Sequence, residues 1–254
     1  MTGLWVAALA VESRKLAASW VVRGATLLLV GGIAVLAIAM NAAAEAGNEQ
    51  IVAQLGDLAN EDGWTRLIGV AAQIAAAATV LGFGVVLAWS VGREFADGTI
   101  SGLFALPVSR PAIVLAKLFT VLAWAIVVAV LLVAVVAAAG LVGGEGAPDG
   151  AALGGLVRLF VLVALSAMLA VPAAWVATLG RGLLAGIATT IVTIATAQVM
   201  AVAGVGAWFP VAAPALWSLD PDTVSPPQLA LVAVIPLAFG ALTLHAWSRL
   251  QLDR

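Results

Sequence analysis

Residues 113–141 read IVLAKLFTVLAWAIVVAVLLVAVVAAAGL, and this stretch decides the fold class. Its 29 residues carry a single charged side chain, Lys117. An α-helix rises about 1.5 Å per residue, so the stretch is long enough to cross about 30 Å of hydrocarbon. Only helices and closed barrels satisfy the backbone in lipid, and the alternating ten-residue strands of a barrel are absent. The stretch therefore predicts a membrane-spanning helix.

Five further apolar stretches of similar length accompany it. The six predicted spans are Trp20–Ala44, Leu67–Val91, Ile113–Leu141, Leu156–Leu179, Leu183–Ala203 and Leu229–Trp247. We expect the first to be retained rather than cleaved as a signal peptide, because its apolar run is too long and 19 residues precede it. The sequence thus predicts an all-α polytopic membrane protein, with residues 1–254 forming a single transmembrane domain.

The composition excludes several classes of protein. Hydrophobic residues make up 64% of the 254 residues and charged residues 9%, against roughly 25% charged in a soluble domain. There is no cysteine, which excludes disulfides and Cys-ligated metals, and the single histidine, His245, is too few for a metal cluster. The net charge of −2 provides no basic surface for nucleic acid. We therefore expect no cofactor, metal or nucleic acid on this chain.

The Lys and Arg residues predict the orientation. With the N-terminus inside, 9 of the 11 basic residues are cytoplasmic and only Arg66 and Arg158 lie outside. Both termini are then cytoplasmic, and the Pro-rich residues 204–228 are extracytoplasmic. Residues 1–19 have an apolar face and predict an interfacial helix, with a plain solvated N-terminus as the alternative.

The longest predicted cytoplasmic loop lies between spans 2 and 3, and residues 92–117 read GREFADGTISGLFALPVSRPAIVLAK. Asp97-Gly98 is a turn signal, and Thr99 is placed to cap a short apolar helix over Ile100–Leu106. Pro107 ends that helix.

Ser109 suits the N-cap of the third span. The short apolar helix before it needs a partner in an aqueous loop. Two interpretations are open from the residues alone: the helix lies back on the membrane or its own bundle, or it inserts into a cytoplasmic protein.

This loop resembles the signature of ABC transporter permeases of the type-2 exporter class, which includes ABCG-like transmembrane subunits and drug, bacitracin and lantibiotic exporters. The resemblance rests on the runs Gly92–Thr99 and Leu106–Arg110, followed by Lys117, and on Glu12-Ser13-Arg14-Lys15, which is similar to the family's Glu-x-x-Lys. It implies that residues 92–111 form a coupling loop and that residues 204–228 contain short re-entrant helices. The compact external region argues against the mechanotransmission and lipoprotein-release branches.

The resemblance also implies partners and a site. A dimer of ABC ATPase subunits would carry the ATP and Mg, and a second permease chain, identical or homologous, would pair with this one. The cargo would be hydrophobic or amphiphilic (a drug, peptide antibiotic or lipid) and leave across the cytoplasmic membrane of a bacterium. The residues implied in ATPase coupling are Arg93, Glu94, Asp97, Gly98, Thr99, Ile100, Leu103, Phe104, Pro107, Ser109, Arg110 and Arg181. For Arg181 the alternative is a positive-inside anchor.

The chain lacks the motif needed to hydrolyse ATP itself. A phosphate-binding loop needs Gly-x-x-x-x-Gly-Lys-Ser/Thr, and the two lysines, Lys15 and Lys117, follow Arg14 and Ala116. We therefore expect no enzyme activity from this chain and a separate ATPase subunit. The alternative function is an ATP-independent membrane protein, a secondary carrier or scaffold, which would be active alone in liposomes.

Polar side chains within the spans are candidates for a cargo cavity. They are Gln73, Thr79, Thr120, Thr189, Thr193 and Thr196. The competing interpretation is that each threonine bonds back to the carbonyl four residues earlier. No charge is predicted at a bilayer midplane, which counts against an ion-driven carrier. We expect Arg158 to lie among lipid headgroups rather than pair with Glu145 or Asp149.

Overall fold

The computed structural model describes residues 2–105 and 107–251. Within these ranges the chain forms helices and no strand, which confirms the all-α fold class. Among the described residues, six helices are long and apolar enough to cross a membrane, as predicted. Numbered in chain order as spans 1 to 6, they are Trp20–Glu45, Gly63–Ala96, Arg110–Gly143, Gly150–Leu179, Leu183–Val202 and Pro226–Ser248.

Several spans extend beyond the predicted apolar runs into polar sequence. Span 3 continues to Gly143 because the chain leaves the helix at Gly144, which adopts φ 92. Span 4 begins at Gly150, six residues earlier than predicted, because the Asp149 carboxylate accepts a hydrogen bond from the Ala152 amide. Helix ends follow capping residues, whereas apolarity marks only the part inside the hydrocarbon.

Two spans are irregular in ways that the apolar pattern does not reveal. Span 1 contains a π-helical turn at Leu28–Gly32. Span 4 is divided into Gly150–Leu169 and Pro172–Leu179 by a turn. The division has a direct cause, because Pro172 has no amide proton to donate and its ring crowds the preceding turn.

A separate helix, Thr2–Ala18, precedes the spans, and we call it the N-terminal helix. The Ser19 hydroxyl accepts from the amides of Val21 and Val22, which starts span 1 as a new helix. The N-terminal helix packs on span 3, where the Trp5 ring meets Phe119 edge to face at a centroid distance of 6.0 Å. Residues 2–18 therefore form a helix docked on the bundle, which excludes the alternative of a plain solvated N-terminus.

Spans 2 and 4 lie at the centre of the bundle, and spans 5 and 6 lie at its periphery. Only 11% of the most apolar window of span 5, and the same share of span 6, is buried within the chain, against 56% for span 2. Span 5 nevertheless approaches span 2 so closely that a Cβ on Gly84 would collide with the Thr190 side chain. Small residues thus allow the helix backbones to pack together.

The two ends of the bundle differ in their contacts. The end that carries residues 97–109 is called the loop side here. On the opposite side the buried Arg66 guanidinium donates to Asn41 at 2.8 Å and to Glu45 at 2.7 Å, which ties the end of span 1 to the start of span 2.

Residues 204–228 form short helices at the side opposite the loop. They are Gly206–Trp208, Ala213–Leu219 and Pro221–Thr223. Ala213–Leu219 packs against spans 2 and 4 instead of extending away from the bundle. This segment therefore closes one end of the space beside span 2.

Candidate functional site

The coupling loop leaves span 2 through a tight turn. Gly98 has φ +67, a conformation that L residues rarely adopt, so the predicted Asp97-Gly98 turn is confirmed. The following helix covers Ile100–Phe104 and is shorter than predicted; Leu106 lies outside the described residues. Span 3 then begins after Ser109, whose extended backbone suits an N-cap, although its side chain makes no capping bond.

The apolar side of this short helix faces its own chain. Ile100 is buried, and Leu103 and Phe104 are half-buried against the core. The Phe104 ring meets Trp247 of span 6 edge to face at 6.2 Å, and the Arg110 guanidinium lies 4.0 Å from the Phe104 ring centroid. Of the two interpretations left open above, packing against the bundle therefore accounts for these apolar side chains.

Four charged residues meet where the N-terminal helix, span 2 and span 3 come together. Lys117 Nζ donates to Glu94 Oε1 at 2.7 Å and to Glu12 Oε2 at 2.8 Å. Lys15 Nζ donates to the same two carboxylates, at 3.1 Å and 3.0 Å. We call these four residues the ion cluster. The Thr99 hydroxyl donates to the other oxygen of Glu94, which attaches the coupling loop to the ion cluster.

The ion cluster is buried and connects several structural elements. The exposed fractions are 1% for Lys117, 2% for Glu94 and 5% for Glu12. Two ammonium groups balance two carboxylates, and their mutual attraction offsets part of the cost of removing these charges from water. Loss of one member leaves a buried charge unpaired and destabilises a protein by about 3–5 kcal/mol. The ion cluster therefore fixes the N-terminal helix, two spans and the coupling loop relative to one another.

Lys15 is the most accessible member of the ion cluster. Burial lowers the pKa of its ammonium group, but the carboxylates of Glu12 and Glu94 together outweigh that effect. The pKa of Lys15 is consequently raised above its ordinary value of 10.5, and the side chain is charged at physiological pH.

The turn between spans 4 and 5 closes against span 2 at Gly92. A Cβ on Gly92 would lie 2.6 Å from the Leu183 amide nitrogen, so the close approach requires glycine. Arg181, within this turn, has φ 48, an uncommon conformation for a residue with a side chain. The turn thus lies directly beside the end of span 2 that leads into the coupling loop.

The segment after span 6 is held by two arginines on the loop side. Arg110 Nη1 donates to the Leu250 carbonyl at 2.7 Å, and Arg181 Nη2 donates to the Gln251 carbonyl at 3.0 Å. These two hydrogen bonds connect the segment after span 6 to the start of span 3 and to the turn before span 5.

A cavity of about 220 Å³ lies between span 2, span 5 and the helix Ala213–Leu219. Gln73 and Thr193 line it, and Gln198 is a further polar wall residue that the sequence analysis did not select. Most of the remaining wall residues are Ala, Val, Ile and Leu. The cavity is therefore mainly apolar, with a few amide and hydroxyl groups.

The sequence profile described as ABC-2 family transporter protein matches residues 8–197. This match covers most of the N-terminal helix, the coupling loop, spans 1 to 4 and most of span 5. The chain belongs to the ABC-2 family. It is a membrane subunit of an ABC transporter, and membership implies association with an ABC ATPase. No curated protein matches the chain, so no relative indicates which cargo it carries.

The predicted coupling residues of this ABC-2 permease divide by exposure. Exposed residues are Asp97, Gly98, Thr99, Pro107, Ser109 and Arg181; half-buried residues are Arg93, Leu103, Phe104 and Arg110; Glu94 and Ile100 are buried. Thr99 does not cap the following helix, because its hydroxyl bonds to Glu94 instead. The accessible edge of the loop is thus made of small and polar residues rather than the apolar ones.

Sequence reasoning missed the ion cluster although its members all stood in the quoted motifs. Glu12 lies on the packed face of the N-terminal helix and is 5% exposed. The resemblance implies that Glu94 contributes to ATPase coupling, but its carboxylate lies between the ammonium groups of two lysines. The available signal was Lys117, a lone charge in an apolar span, which needs a carboxylate partner when buried.

All five threonines proposed for a cargo cavity bond to their own helices. Thr79, Thr120, Thr189 and Thr196 each donate to the carbonyl four residues earlier, as does Thr193. The back-bonding interpretation is therefore confirmed for these hydroxyls. Thr79 is fully buried, and Thr120 lines a different groove beside span 3.

Arg158 forms no ion pair with Glu145 or Asp149 among the residues that the structure describes, so the pairing alternative is wrong. Its Nε is buried and has no hydrogen-bond partner there. Its guanidinium nitrogens instead lie beside Gly154 and Gly155 of its own helix, where the absence of Cβ atoms leaves room.

Proposed function

We propose that this ABC-2 permease is the transmembrane subunit of an ATP-driven exporter for a hydrophobic or amphiphilic cargo. The observation that carries the proposal is the ion cluster, which joins the coupling loop to the N-terminal helix and span 3. A force applied to this loop would be transmitted directly to three helices. Such a joint suits a permease that is moved by a separate ATPase, since the chain has no phosphate-binding loop of its own.

The accessible edge of the coupling loop is the proposed contact for the ATPase. Gly98, Ser101 and Gly102 are exposed on it, while the apolar side chains anchor the short helix from behind. The exposed turn at Arg181 lies beside the same end of span 2 and would supply a second contact. Glu94 would act by positioning the loop, because its buried carboxylate has no access to a partner.

The exposed face of span 5 is the proposed contact for a second permease chain. Span 5 is poorly buried within one chain, yet it carries Thr193 and Gln198 beside the cavity. At about 220 Å³ the cavity is smaller than the roughly 300–1,000 Å³ of usual ligand pockets. We infer that two chains enclose a larger space, with an apolar wall suited to drugs, peptide antibiotics or lipids.

The test is Gly102→Arg, which changes the loop edge without disturbing the fold. A Cβ at Gly102 would meet no atom within 4 Å, so the variant should fold normally. We expect it to lose co-purification with the ABC ATPase and most cargo-stimulated ATP hydrolysis in liposomes. The measurements are pull-down of the ATPase and ATPase activity at saturating cargo.

The matched control is Gly143→Arg, at the end of span 3 on the opposite side of the bundle. Gly143 also has open space around its Cβ position, so both variants add the same charge and volume. The control should keep ATPase binding and stimulation. Full coupling in Gly102→Arg would contradict the proposal, and cargo movement by the permease alone in ATP-free liposomes would favour a secondary carrier.

A further inference from the structure

A second and larger groove opens beside the N-terminal helix. Its volume is about 640 Å³, within the roughly 300–1,000 Å³ of small-molecule sites. The N-terminal helix contributes one wall, the start of span 1 another, and span 3 the third. Its largest wall residues are Trp5, Leu9, Leu16, Val22, Phe119 and Trp124. The groove is separate from the cavity beside span 5, because the two have no wall residue in common.

The groove runs from the N-terminal helix along the outer face of span 3, where Phe119, Ala123 and Val127 are exposed. Ser13 of the N-terminal helix lies in its wall, and Trp124 and Val127 of span 3 lie further along the membrane-crossing direction. The Trp124 indole nitrogen donates to the Thr26 hydroxyl at 2.9 Å, and that hydroxyl donates to its own helix. The polar atoms of Trp124 and Thr26 are therefore satisfied internally, so an occupant beside them meets mostly carbon.

An exposed cation, Arg23, lies next to the groove and is bonded to one of its wall residues. Arg23 Nε donates to the carbonyl of Ala17, a wall residue, at 3.2 Å. The Arg23 guanidinium carbon also lies 5.3 Å from the Trp20 ring centroid, a cation–π distance. Arg23 is exposed, and among residues 2–105 and 107–251 its two terminal nitrogens have no hydrogen-bond partner. These nitrogens remain available to bind an anion bidentately.

We propose that this groove binds an anionic phospholipid, with one acyl chain along Leu9, Phe119 and Trp124 and the phosphate on Arg23. An apolar slot that starts at a helix beside the membrane boundary and descends along a span has the direction of an acyl chain. A guanidinium held at its mouth has the geometry that recognises a phosphate. The site is independent of the cargo and of the proposed exporter function.

Lipid binding here would stabilise the attachment of the N-terminal helix. The acyl chain would contact both that helix and span 3, the two elements that the ion cluster also joins through Glu12 and Lys117. A lipid in the groove would therefore contact the N-terminal helix on its lipid-facing side, while the ion cluster binds it on the side packed against spans 2 and 3.

The experiment uses the full chain in nanodiscs of phosphatidylglycerol and phosphatidylcholine in equal amounts with identical acyl chains. Native mass spectrometry counts the lipids retained per chain after transfer to detergent. We expect preferential retention of phosphatidylglycerol, and Arg23→Gln should reduce this preference about five-fold, the effect of one basic group at an anionic surface. Ala123→Phe, which fills the groove from an exposed wall position, should reduce retention of both lipids.

Matched controls separate the site from general surface effects. Arg249→Gln removes an exposed arginine outside the groove, and Ala134→Phe enlarges an exposed alanine elsewhere on span 3. Both should leave lipid retention unchanged. The site is overturned if Arg23→Gln keeps the preference, or if Ala123→Phe keeps retention.

Two further outcomes would replace the lipid by another occupant. Equal binding of free glycerol 3-phosphate would mean that the arginine binds phosphate without an acyl chain in the groove. A change of oligomeric state in Ala123→Phe, measured by light scattering, would mean that a second permease chain covers the groove. Either result would overturn the proposal.

Discussion

Lys117 is the residue on which the buried charge balance depends, since it bonds both Glu12 and Glu94. Lys117→Met keeps the volume of the side chain but leaves two buried carboxylates with only Lys15. We expect a loss of about 3–5 kcal/mol, which is a large fraction of the stability of a single domain. Thermal unfolding of the detergent-solubilised protein, followed by tryptophan fluorescence, measures the effect.

A double variant tests whether charge balance is the cause. Lys117→Met combined with Glu94→Gln restores one cation and one carboxylate, so it should be more stable than Lys117→Met alone. Arg14→Met is the control, because Arg14 is a neighbouring but exposed cation, and it should change stability by about 0.5 kcal/mol or less. A double variant that is no more stable than the single one would refute this account.

Lys15 gives the ion cluster a dependence on alkaline pH. Its pKa in the folded protein is raised above 10.5, so its stabilising contribution is complete below that pH and is lost as the pH rises through the folded value. The melting temperatures of the native protein and Lys15→Gln should differ at pH 8, and the difference should shrink as the pH rises above 10.5. A difference that stays constant over this range would contradict the assignment.

At the scale of the structural elements, the contact between span 2 and the turn at Gly180–Gly182 requires that residue 92 is a glycine, which has no Cβ. Gly92→Val would bring carbon within 2.6 Å of the Leu183 backbone, which cannot move as a side chain does. Overpacking of this kind costs about 1–3 kcal/mol, and the turn should separate from span 2. We expect a lower melting temperature and weaker cargo-stimulated ATP hydrolysis.

A glycine without neighbours provides the matched control at this scale. A Cβ on Gly240 of span 6 would meet nothing within 4 Å, and Gly240→Ala should be neutral or stabilise the helix by up to about 1 kcal/mol. If Gly240→Ala and Gly92→Val destabilise the protein equally, the loss reflects glycine replacement in general and not the close approach at Gly92.

For the whole molecule, the absence of cysteine makes the predicted orientation directly testable. Ser101 is exposed in the coupling loop, and Asp222 is exposed on the opposite side. A membrane-impermeant maleimide should label Asp222→Cys in intact cells and Ser101→Cys only after permeabilisation, because the basic residues concentrate on the loop side. The reverse labelling pattern would place the coupling loop, and any ATPase bound to it, on the wrong side of the membrane.

The number and the helical character of the spans follow from local sequence. An apolar run of 20 or more residues in lipid must satisfy its backbone internally, so span 3 is recognisable from residues 113–141 without any tertiary contact. Local turn chemistry likewise predicts the Asp97-Gly98 turn, since a φ of +67 strongly favours glycine. The break before Pro172 is equally local in origin, because the proline ring causes it.

The pairing of charges and the direction of apolar side chains needed the folded chain. Glu12 and Lys117 are 105 residues apart and Glu94 lies on a third helix, so no local pattern states that they meet. Phe104 turns inward because Trp247 of span 6 lies beside it, a contact created by the packing of the bundle. In lipid, whether a segment forms a spanning helix depends on its own sequence, because the helix satisfies its backbone hydrogen bonds internally. The partner of a buried charge depends instead on which helices pack beside it.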